Sequence, residues 1–289
     1  MRLLSILFPV FAIIGLGWWY GRGKRLDLGV TNQIAMDVLV PALVFAALAS
    51  KSFDLTRYAQ LALGGVAVVL GSGLLAYPFA RLFKIQVKTF VPPMMFNNSG
   101  NMGIPLMVLA FGDAALAGAV VLFLVEMFLH FSLGAYMLDH RMRLAQLLRT
   151  PVMIATLLGI AVSLSGLAIP TPLYTAMKMV GDASIPVLLF ALGVRLNEVS
   201  FQDWRIGLAG ALLCPATGLA MVAMVTPFIT LTPLEQSLLL IFGALPPAVL
   251  NYLMAEQYSQ EPQRVASIVL LGNLAALAIM PIVLAFALP

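Results

Sequence analysis

The chain has 289 residues, of which 62% are hydrophobic and 10% are charged, and its formal net charge is +4 at pH 7. Together with a mean hydropathy of +1.02, this composition excludes a soluble globular domain and predicts an integral membrane protein. The positive charge indicates contact with anionic membrane lipid, so the basic balance implies no nucleic-acid partner.

Apolar runs long enough to cross a bilayer follow one another along the chain, separated by short loops. Barrel strands are excluded, because they are about ten residues long and alternate in polarity, whereas these runs are apolar on all sides. The expected fold class is all-α integral membrane. In chain order we predict ten spanning helices, at residues 3–20, 30–49, 58–80, 88–111, 115–138, 151–168, 173–194, 205–230, 234–257 and 263–288.

The first predicted span resembles a secretory signal, but it lacks a small-x-small cleavage site and ends in an aromatic and basic anchor at residues 18–25. We therefore assign it as a membrane helix. Most of the 16 Lys and Arg residues fall in loops after odd-numbered spans, among them Arg195 and Arg205 after span seven. The positive-inside rule places these loops in the cytoplasm, so both termini face the periplasmic side of a cell (inner) membrane.

Three short motifs occur in the same order in both halves of the chain. PVFAIIGLG from Pro9 resembles PVMIATLLG from Pro151, DVLVPALVFAAL from Asp37 resembles DASIPVLLFALG from Asp182, and PPMMFNN from Pro92 resembles PPAVLNY from Pro246. We predict a single transport unit built from a first repeat at residues 1–140 and a second at 150–289, each with five spans. Because five is odd, the repeats have opposite orientations in the membrane, as in the inverted repeats of many transporters.

Spans four and nine each carry a proline pair five residues before an asparagine. The pairs are Pro92 and Pro93 before Asn97, and Pro246 and Pro247 before Asn251. Proline removes a backbone donor and clashes with the preceding turn, so we expect both helices to break near the middle of the membrane and to cross there. The freed backbone cannot face lipid, and helix N-termini favour an anion. A kink that serves packing alone is the alternative, which the duplication disfavours.

The stretch FNNSGNMGIPL at residues 96–106 is too polar and too rich in glycine for an ordinary spanning helix. We predict that it supplies most of the ligand contacts, with asparagine and serine side chains as hydrogen-bonding groups and glycines that let the backbone approach a ligand. The second copy contributes an asparagine and an aromatic wall. The predicted substrate-binding residues are Asn97, Asn98, Ser99, Gly100, Asn101, Gly103, Asn251 and Tyr252.

Few ionisable side chains fall inside the predicted spans, where they are costly and often functional. Asp37 and Asp182 hold matching positions in the two repeats, and Lys178 can pair with Asp182 one helical turn away. Glu126 and His130 share one face of span five, and such a pair is suited to proton handling because histidine titrates near neutral pH. For both groups a proton-coupling role stands beside a structural role as helix anchors.

These motifs make the chain similar to bacterial members of the auxin efflux carrier family, within the wider group that includes bile acid sodium symporters. The most specific parts of the resemblance, which covers nearly the whole chain, are NNSGNMGIPL at 97–106, LPPAVLNYLMAEQY at 245–258 and VLVPALVF at 38–45. The resemblance implies a scaffold and a transport bundle, an elevator-like movement, and an organic anion as cargo, with relatives that handle auxin, malate or malonate. Only about residues 139–150 join the repeats, so the long cytoplasmic loop of many plant relatives is absent.

The leading functional hypothesis is a secondary transporter that binds a small organic anion at the crossing and alternates access, with a proton as the coupling ion. A sodium-coupled symporter is the nearest alternative, because asparagine side chains and freed carbonyls also suit a hard cation. An anion channel and a membrane receptor without transport are further alternatives. The sequence carries no nucleotide-binding, metal-binding or catalytic motif, so we expect no cofactor, no metal and no enzymatic activity. A homodimer is compatible with the sequence.

Overall fold

The computed structural model describes residues 2–24, 26, 28–50, 56–139, 148–198 and 203–288, with side chains from residue 6 onward. Within these ranges the chain forms helices and their connections without any β-strand, which confirms the all-α class. Most of the predicted connection between the two repeats, residues 140–147, lies outside the described ranges.

The helices follow the predicted spans closely, and several spans are divided into two helices. In chain order they are α1 (Arg2–Gly21), α2 (Gly29–Ile34), α3 (Val40–Leu48), α4 (Ala59–Leu82), α5 (Val87–Met95), α6 (Ile104–Phe111), α7 (Leu116–Leu129), α8 (Ala135–Leu138), α9 (Pro151–Ser165), α10 (Thr171–Asp182), α11 (Ser184–Arg195), α12 (Trp204–Val225), α13 (Pro233–Ala244), α14 (Val249–Gln257) and α15 (Pro262–Ala287). Wider, π-helical turns join α2 to α3 at Ala35–Leu39 and α7 to α8 at His130–Gly134, and a third turn at Ser99–Gly103 leads into α6.

Six stretches of the described chain are long and apolar enough to cross a membrane, which supports a multi-pass membrane protein. They are Gly29–Leu48, Ala59–Leu82, Asp113–Leu138, Thr171–Arg195, Trp204–Phe228 and Pro262–Ala287. Shorter apolar helices lie at Ile6–Gly21, Ser99–Phe111, Pro151–Ser165 and Pro233–Ala244. The ten-span count and the inverted repeat stay predictions.

Local sequence signals explain where several helices begin and end. The Thr150 hydroxyl accepts the Met153 N–H at 3.4 Å and so caps the start of α9, which stops at Gly166 in the left-handed region, with φ 64°. At the start of α13, Thr232 and Glu235 form a reciprocal capping box. Each cap satisfies backbone groups that a helix end leaves without an intrahelical partner.

Close contacts between helices of the two predicted repeats hold the bundle together. α1 packs against α11, α3 against α9 and α10, and α4 against α12. A methyl group on Gly193 of α11 would overlap the Ile14 carbonyl, and one on Gly17 of α1 would overlap the Phe190 carbonyl. Small residues at such contacts are typical of membrane helix pairs, because they let the backbones approach. Helices from the two halves of the chain therefore pack directly against each other.

Candidate functional site

The two proline-containing segments are both interrupted, and the interruptions lie against each other. The first break is Phe96–Asn98, after α5, and the second break is Leu245–Ala248, between α13 and α14. Asn98 N donates to the Pro246 carbonyl at 2.7 Å, and Ala248 N donates to the Phe96 carbonyl at 2.9 Å. Asn97 and Pro247 thereby face each other in an antiparallel bridge. Backbone groups that each helix frees by breaking are thus satisfied by the other break.

The proline pairs take different places in the two breaks. Pro92 and Pro93 lie inside α5, which continues to Met95, whereas Pro246 and Pro247 lie in the second break itself. The second break thus contains its proline pair, whereas the first break follows its pair by a few residues and lies within the stretch FNNSGNMGIPL, as predicted. Each proline removes one i to i−4 hydrogen bond, and α5 ends two residues after Pro93.

Asn97 and Asn251 fix the two breaks through their side-chain amides. Asn97 Nδ2 donates to the Phe242 carbonyl at 2.7 Å, near the end of α13. Asn251 Nδ2 donates to the Phe96 carbonyl at 2.8 Å and to the Ala248 carbonyl at 3.0 Å. Both side-chain oxygens are buried and have no hydrogen-bond partner among the described residues. Each amide therefore holds a break with its nitrogen, while its oxygen could accept a further hydrogen bond.

Asn98 ties the first break to α15. Its Nδ2 donates to Asn273 Oδ1 at 2.7 Å, and Asn273 Nδ2 donates in turn to the Pro247 carbonyl at 2.9 Å and the Val269 carbonyl at 2.8 Å. Asn273 was missed at the sequence level. The available signal was a single asparagine within the charge-free run from Val265 onward.

Glu126 and His130 form the predicted pair and are attached to the first break. Glu126 Oε1 lies 3.0 Å from His130 Nδ1, and Ser99 Oγ donates to Glu126 Oε2 at 3.1 Å. The His130 ring stacks on the Phe96 ring with 4.2 Å between centroids and 8° between planes. Both members of the pair are buried. The pair therefore contacts the chain on both sides of Asn97 and Asn98, through Phe96 and Ser99.

A cavity of about 130 Å³, here called the break cavity, opens beside the first break. Its walls come from five parts of the chain. They are formed by Asn32, Ala35 and Met36, by Asn97, Asn98, Gly100 and Asn101, by Phe123, Glu126, Met127, His130 and Phe131, by Leu188 and Arg195, and by Ala248, Val249, Leu250 and Leu253. The amides of the first break thus face a wall that is otherwise mostly apolar, as in many small-molecule sites.

Some of the predicted binding residues line the break cavity, and the others lie outside its lining. Asn97, Asn98, Gly100 and Asn101 line the cavity, and so do Glu126 and His130. The others lie outside this lining. Ser99 donates a hydrogen bond to Glu126, and Asn251 donates one to the Phe96 carbonyl of the first break. Gly103 is packed so closely that a Cβ there would lie 2.8 Å from Leu245 Cδ1, and the Tyr252 hydroxyl donates to Glu256 Oε1 at 3.3 Å. Tyr252 instead lines a neighbouring cavity of about 240 Å³.

The predicted ionisable group of Asp37, Lys178 and Asp182 lies apart from the lining of the break cavity. Lys178 Nζ pairs with Asp182 Oδ2 at 2.9 Å, as its spacing predicted, and approaches Asp113 Oδ2 at 3.7 Å. Asp37 is exposed on the π-helical turn Ala35–Leu39. Both the anchoring role and the coupling role of these residues stay predictions.

Arg195 is the residue whose place differs most from the sequence-based interpretation. The charge pattern predicts that it is a cytoplasmic loop cation, but it is the last residue of α11, is only 9% exposed, and lines the break cavity. Its position at the end of an apolar run made it look like a loop residue. Asn32, on α2, reaches the same cavity and was likewise not predicted.

In this apolar helical bundle, two broken helices complete each other's backbone hydrogen bonds beside a cavity lined partly by amides. These features define the class of multi-pass membrane proteins built like transporters. The sequence pattern of the family described as "Membrane transport protein" matches residues 140–284. The chain belongs to this family, which is the auxin efflux carrier family that its motifs resemble.

Relatives extend the similarity over nearly the whole chain. An uncharacterized transporter of Methanothermobacter thermautotrophicus is 26% identical over 97% of this chain and 93% of its own length. An uncharacterized transporter of Methanocaldococcus jannaschii is 21% identical over 91% of this chain and 92% of its own. A protein of Rhizobium meliloti named "Putative malonate transporter" is 22% identical over 96% and 93%. The family and these relatives place the chain among membrane transport proteins.

Proposed function

We propose that the protein is a secondary active transporter of a small organic anion, which binds in the break cavity. The observation that carries this proposal is the meeting of the two breaks, where Asn98 N donates to Pro246 and Ala248 N donates to Phe96. Non-helical backbone at membrane depth is tolerated only where it is buried in protein or lines a cavity. Transporters bind their substrates at such discontinuous helices.

Two helix N-termini favour negative charge in the break cavity. The helical stretch Ser99–Phe111 has Gly100 and Asn101 of its first turn on the cavity wall, and α14 begins with Val249 and Leu250 on the wall. The first N–H groups of a helix lack intrahelical partners and carry positive partial charge, so an anion is the favoured guest. The name of the Rhizobium meliloti relative agrees with a carboxylate.

The proposal includes the architecture that the motifs predict. The chain would form ten spans as two inverted five-span repeats, residues 1–140 and 150–289, with spans four and nine crossing at the breaks. The antiparallel bridge of Asn97 and Pro247 supports such a crossing. One bundle would then move past the other to alternate access. The excess of Lys and Arg in loops after odd-numbered spans supports a cell-membrane orientation with both termini outside.

Proton coupling through Glu126 and His130 completes the proposal, because the pair touches both Phe96 and Ser99 beside the break cavity. Sodium coupling is the second candidate. It is favoured by the buried oxygens of Asn97 and Asn251, since amide oxygens are ligands for hard cations. Uptake into proteoliposomes with a proton gradient alone and with a sodium gradient alone separates the two.

The test of the transport proposal is saturable uptake of radiolabelled carboxylates by the purified protein in proteoliposomes. Asn101 lines the break cavity and is partly buried. Asn101→Ala removes an amide that faces the ligand, and a hydrogen bond to a charged group contributes roughly 1.5 kcal/mol. The variant should therefore lower uptake about tenfold. The control is Gln33→Ala, an exposed amide on α2, which should behave as wild type. Uptake that does not saturate in the wild type would reject the carrier hypothesis. Equal uptake by both variants would show that the substrate does not bind in the break cavity.

A further inference from the structure

The break cavity and the neighbouring cavity of about 240 Å³ have part of their walls in common. The shared residues are Arg195, Val249 and Leu253. Val249 and Leu253 lie four residues apart on α14, so they are on the same face of that helix. Val249 is buried, whereas Leu253 is 43% exposed. The two cavities are therefore adjacent, and a leucine side chain that is only partly packed lies at their boundary.

The break cavity opens where Leu253 lies. Among its described lining residues, Met36 and Leu253 are exposed, and the others are buried or half-buried. Met36 belongs to the turn between α2 and α3, and Leu253 belongs to α14, so the opening lies between two different parts of the bundle. Leu253 also lines the neighbouring cavity, whereas Met36 does not. A solute that leaves the break cavity past Leu253 therefore enters the neighbouring cavity.

The neighbouring cavity lies beside helix ends that share one side of the predicted topology. Leu28 directly precedes α2, Arg195 is the last residue of α11, and Ala266 lies in the second turn of α15. The loops beside these ends follow predicted spans one, seven and nine. The distribution of Lys and Arg assigns all three loops to the cytoplasm. The neighbouring cavity thus lies between the break cavity and the predicted cytoplasmic side.

The boundary between the two cavities has the properties of a constriction that can open. The wall of the neighbouring cavity is formed mainly by apolar side chains, among them Val249, Leu253, Val269 and Leu270. A constriction of apolar side chains expels water when it is narrow. Exposed side chains change rotamer within picoseconds to nanoseconds, so Leu253 can move without repacking the core. The position of its side chain decides whether the amides of the break cavity are in contact with water from the neighbouring cavity.

We infer that the neighbouring cavity is the passage through which the transported solute exchanges between the break cavity and the cytoplasm, and that Leu253 is the constriction of this passage. This inference rests on the proposed function, because it takes the break cavity as the place where the substrate binds. It assigns a role to a cavity and to a residue that lie outside the predicted binding set.

The experiment measures how fast sulfonatoethyl methanethiosulfonate, a membrane-impermeant anion, labels cysteines introduced into the full-length protein in inverted membrane vesicles. Cys214 is the one cysteine of the chain and is buried, so the wild type is the blank. Asn101→Cys reports on the break cavity, and Ala266→Cys reports on the neighbouring cavity. Leu274→Cys is the control, because Leu274 lies near the middle of α15, is 41% exposed and lines neither cavity. The thiolate is the reactive form, so a thiol surrounded by lipid is not labelled.

Asn101→Cys and Ala266→Cys should be labelled from the cytoplasmic face at least about tenfold faster than Leu274→Cys, because water reaches both cavities. Adding Leu253→Trp narrows the constriction, so it should slow the labelling of Asn101→Cys about tenfold and leave that of Ala266→Cys unchanged. Leu274→Trp adds the same bulk at a residue of similar exposure and should change neither rate. If the Leu253→Trp variant does not fold, Leu253→Ala decides, because a wider constriction should speed the labelling of Asn101→Cys.

Two results overturn the inference: labelling of Asn101→Cys that is no faster than that of Leu274→Cys, or a rate for Asn101→Cys that does not respond to the folded Leu253 variants. Failure of the proposed function looks different, because it is the absence of saturable uptake by the wild type. Labelling needs no substrate and no transport. The cysteine variants thus test the passage, and uptake by the wild type tests the transporter.

Discussion

Removing the Asn273 side chain should destabilise the protein by separating α15 from the two breaks. Asn273→Ala deletes one hydrogen bond with Asn98, at 2.7 Å, one with the Pro247 carbonyl, at 2.9 Å, and one with the Val269 carbonyl, at 2.8 Å. Asn98 and Asn273 are 3% and 2% exposed, so water does not replace the lost partners.

The expected loss of unfolding free energy is about 2 to 3 kcal/mol. Hydrogen bonds between helices in a membrane protein contribute about 0.6 kcal/mol on average and up to about 1.7 kcal/mol, and two of the three bonds join different segments. The amide of Asn98 also loses its acceptor, and an orphaned buried donor adds about 1 kcal/mol or more. In a double-mutant cycle, Asn98→Ala and Asn273→Ala should be coupled by about 1 kcal/mol.

The assay is reversible unfolding in mixed detergent micelles, followed by tryptophan fluorescence. Gln263→Ala is the control, because Gln263 is exposed on the same helix, α15, and it should change stability by less than about 0.5 kcal/mol. Strictly additive effects of the two asparagine variants, or an Asn273 variant as stable as the control, would refute the assignment of this network as the tie between α15 and the breaks.

Two further predictions concern helix packing and coupling. Gly193→Leu should prevent α1 and α11 from packing and should reduce the amount of folded protein seen by size-exclusion chromatography. Gly15→Leu is the control and should be tolerated, because a Cβ at Gly15 meets nothing within 4 Å. Equal behaviour of the two variants would argue against the close α1–α11 contact. His130→Gln keeps a hydrogen-bonding group beside Glu126 but cannot take up a proton, so the pH dependence of uptake should flatten. An unchanged pH profile would remove His130 from coupling.

The candidate site was predictable where it lies in one stretch of unusual local composition. Asn97, Asn98, Gly100 and Asn101 line the break cavity because a polar, glycine-containing sequence cannot continue as an ordinary spanning helix, and so its side chains and backbone turn to the protein interior. The Glu126–His130 pair was predictable for a similar reason, since two polar residues four apart on one helix share a face.

Contacts between distant segments were not predictable in the same way. Tyr252 follows Asn251 in the chain, yet it lines the neighbouring cavity and not the break cavity. Asn251 itself holds the Phe96 carbonyl from 155 residues away. The sequence places such residues along a helix, but which neighbour a side chain reaches depends on how the helices pack.

Composition and local pattern alone determined that this chain is a multi-helix membrane protein and where its helices run, because burial in lipid demands long apolar runs with all backbone groups bonded internally. The prediction of 263–288 for the last span, for example, differs by one residue at each end from α15, Pro262–Ala287. Only the tertiary structure decided that the two breaks bond to each other, that His130 stacks on Phe96, and that Arg195 is buried beside the break cavity. The physical reason is that a helix satisfies its own backbone locally, whereas a break and a buried charge are satisfied only by groups that folding brings from elsewhere in the chain.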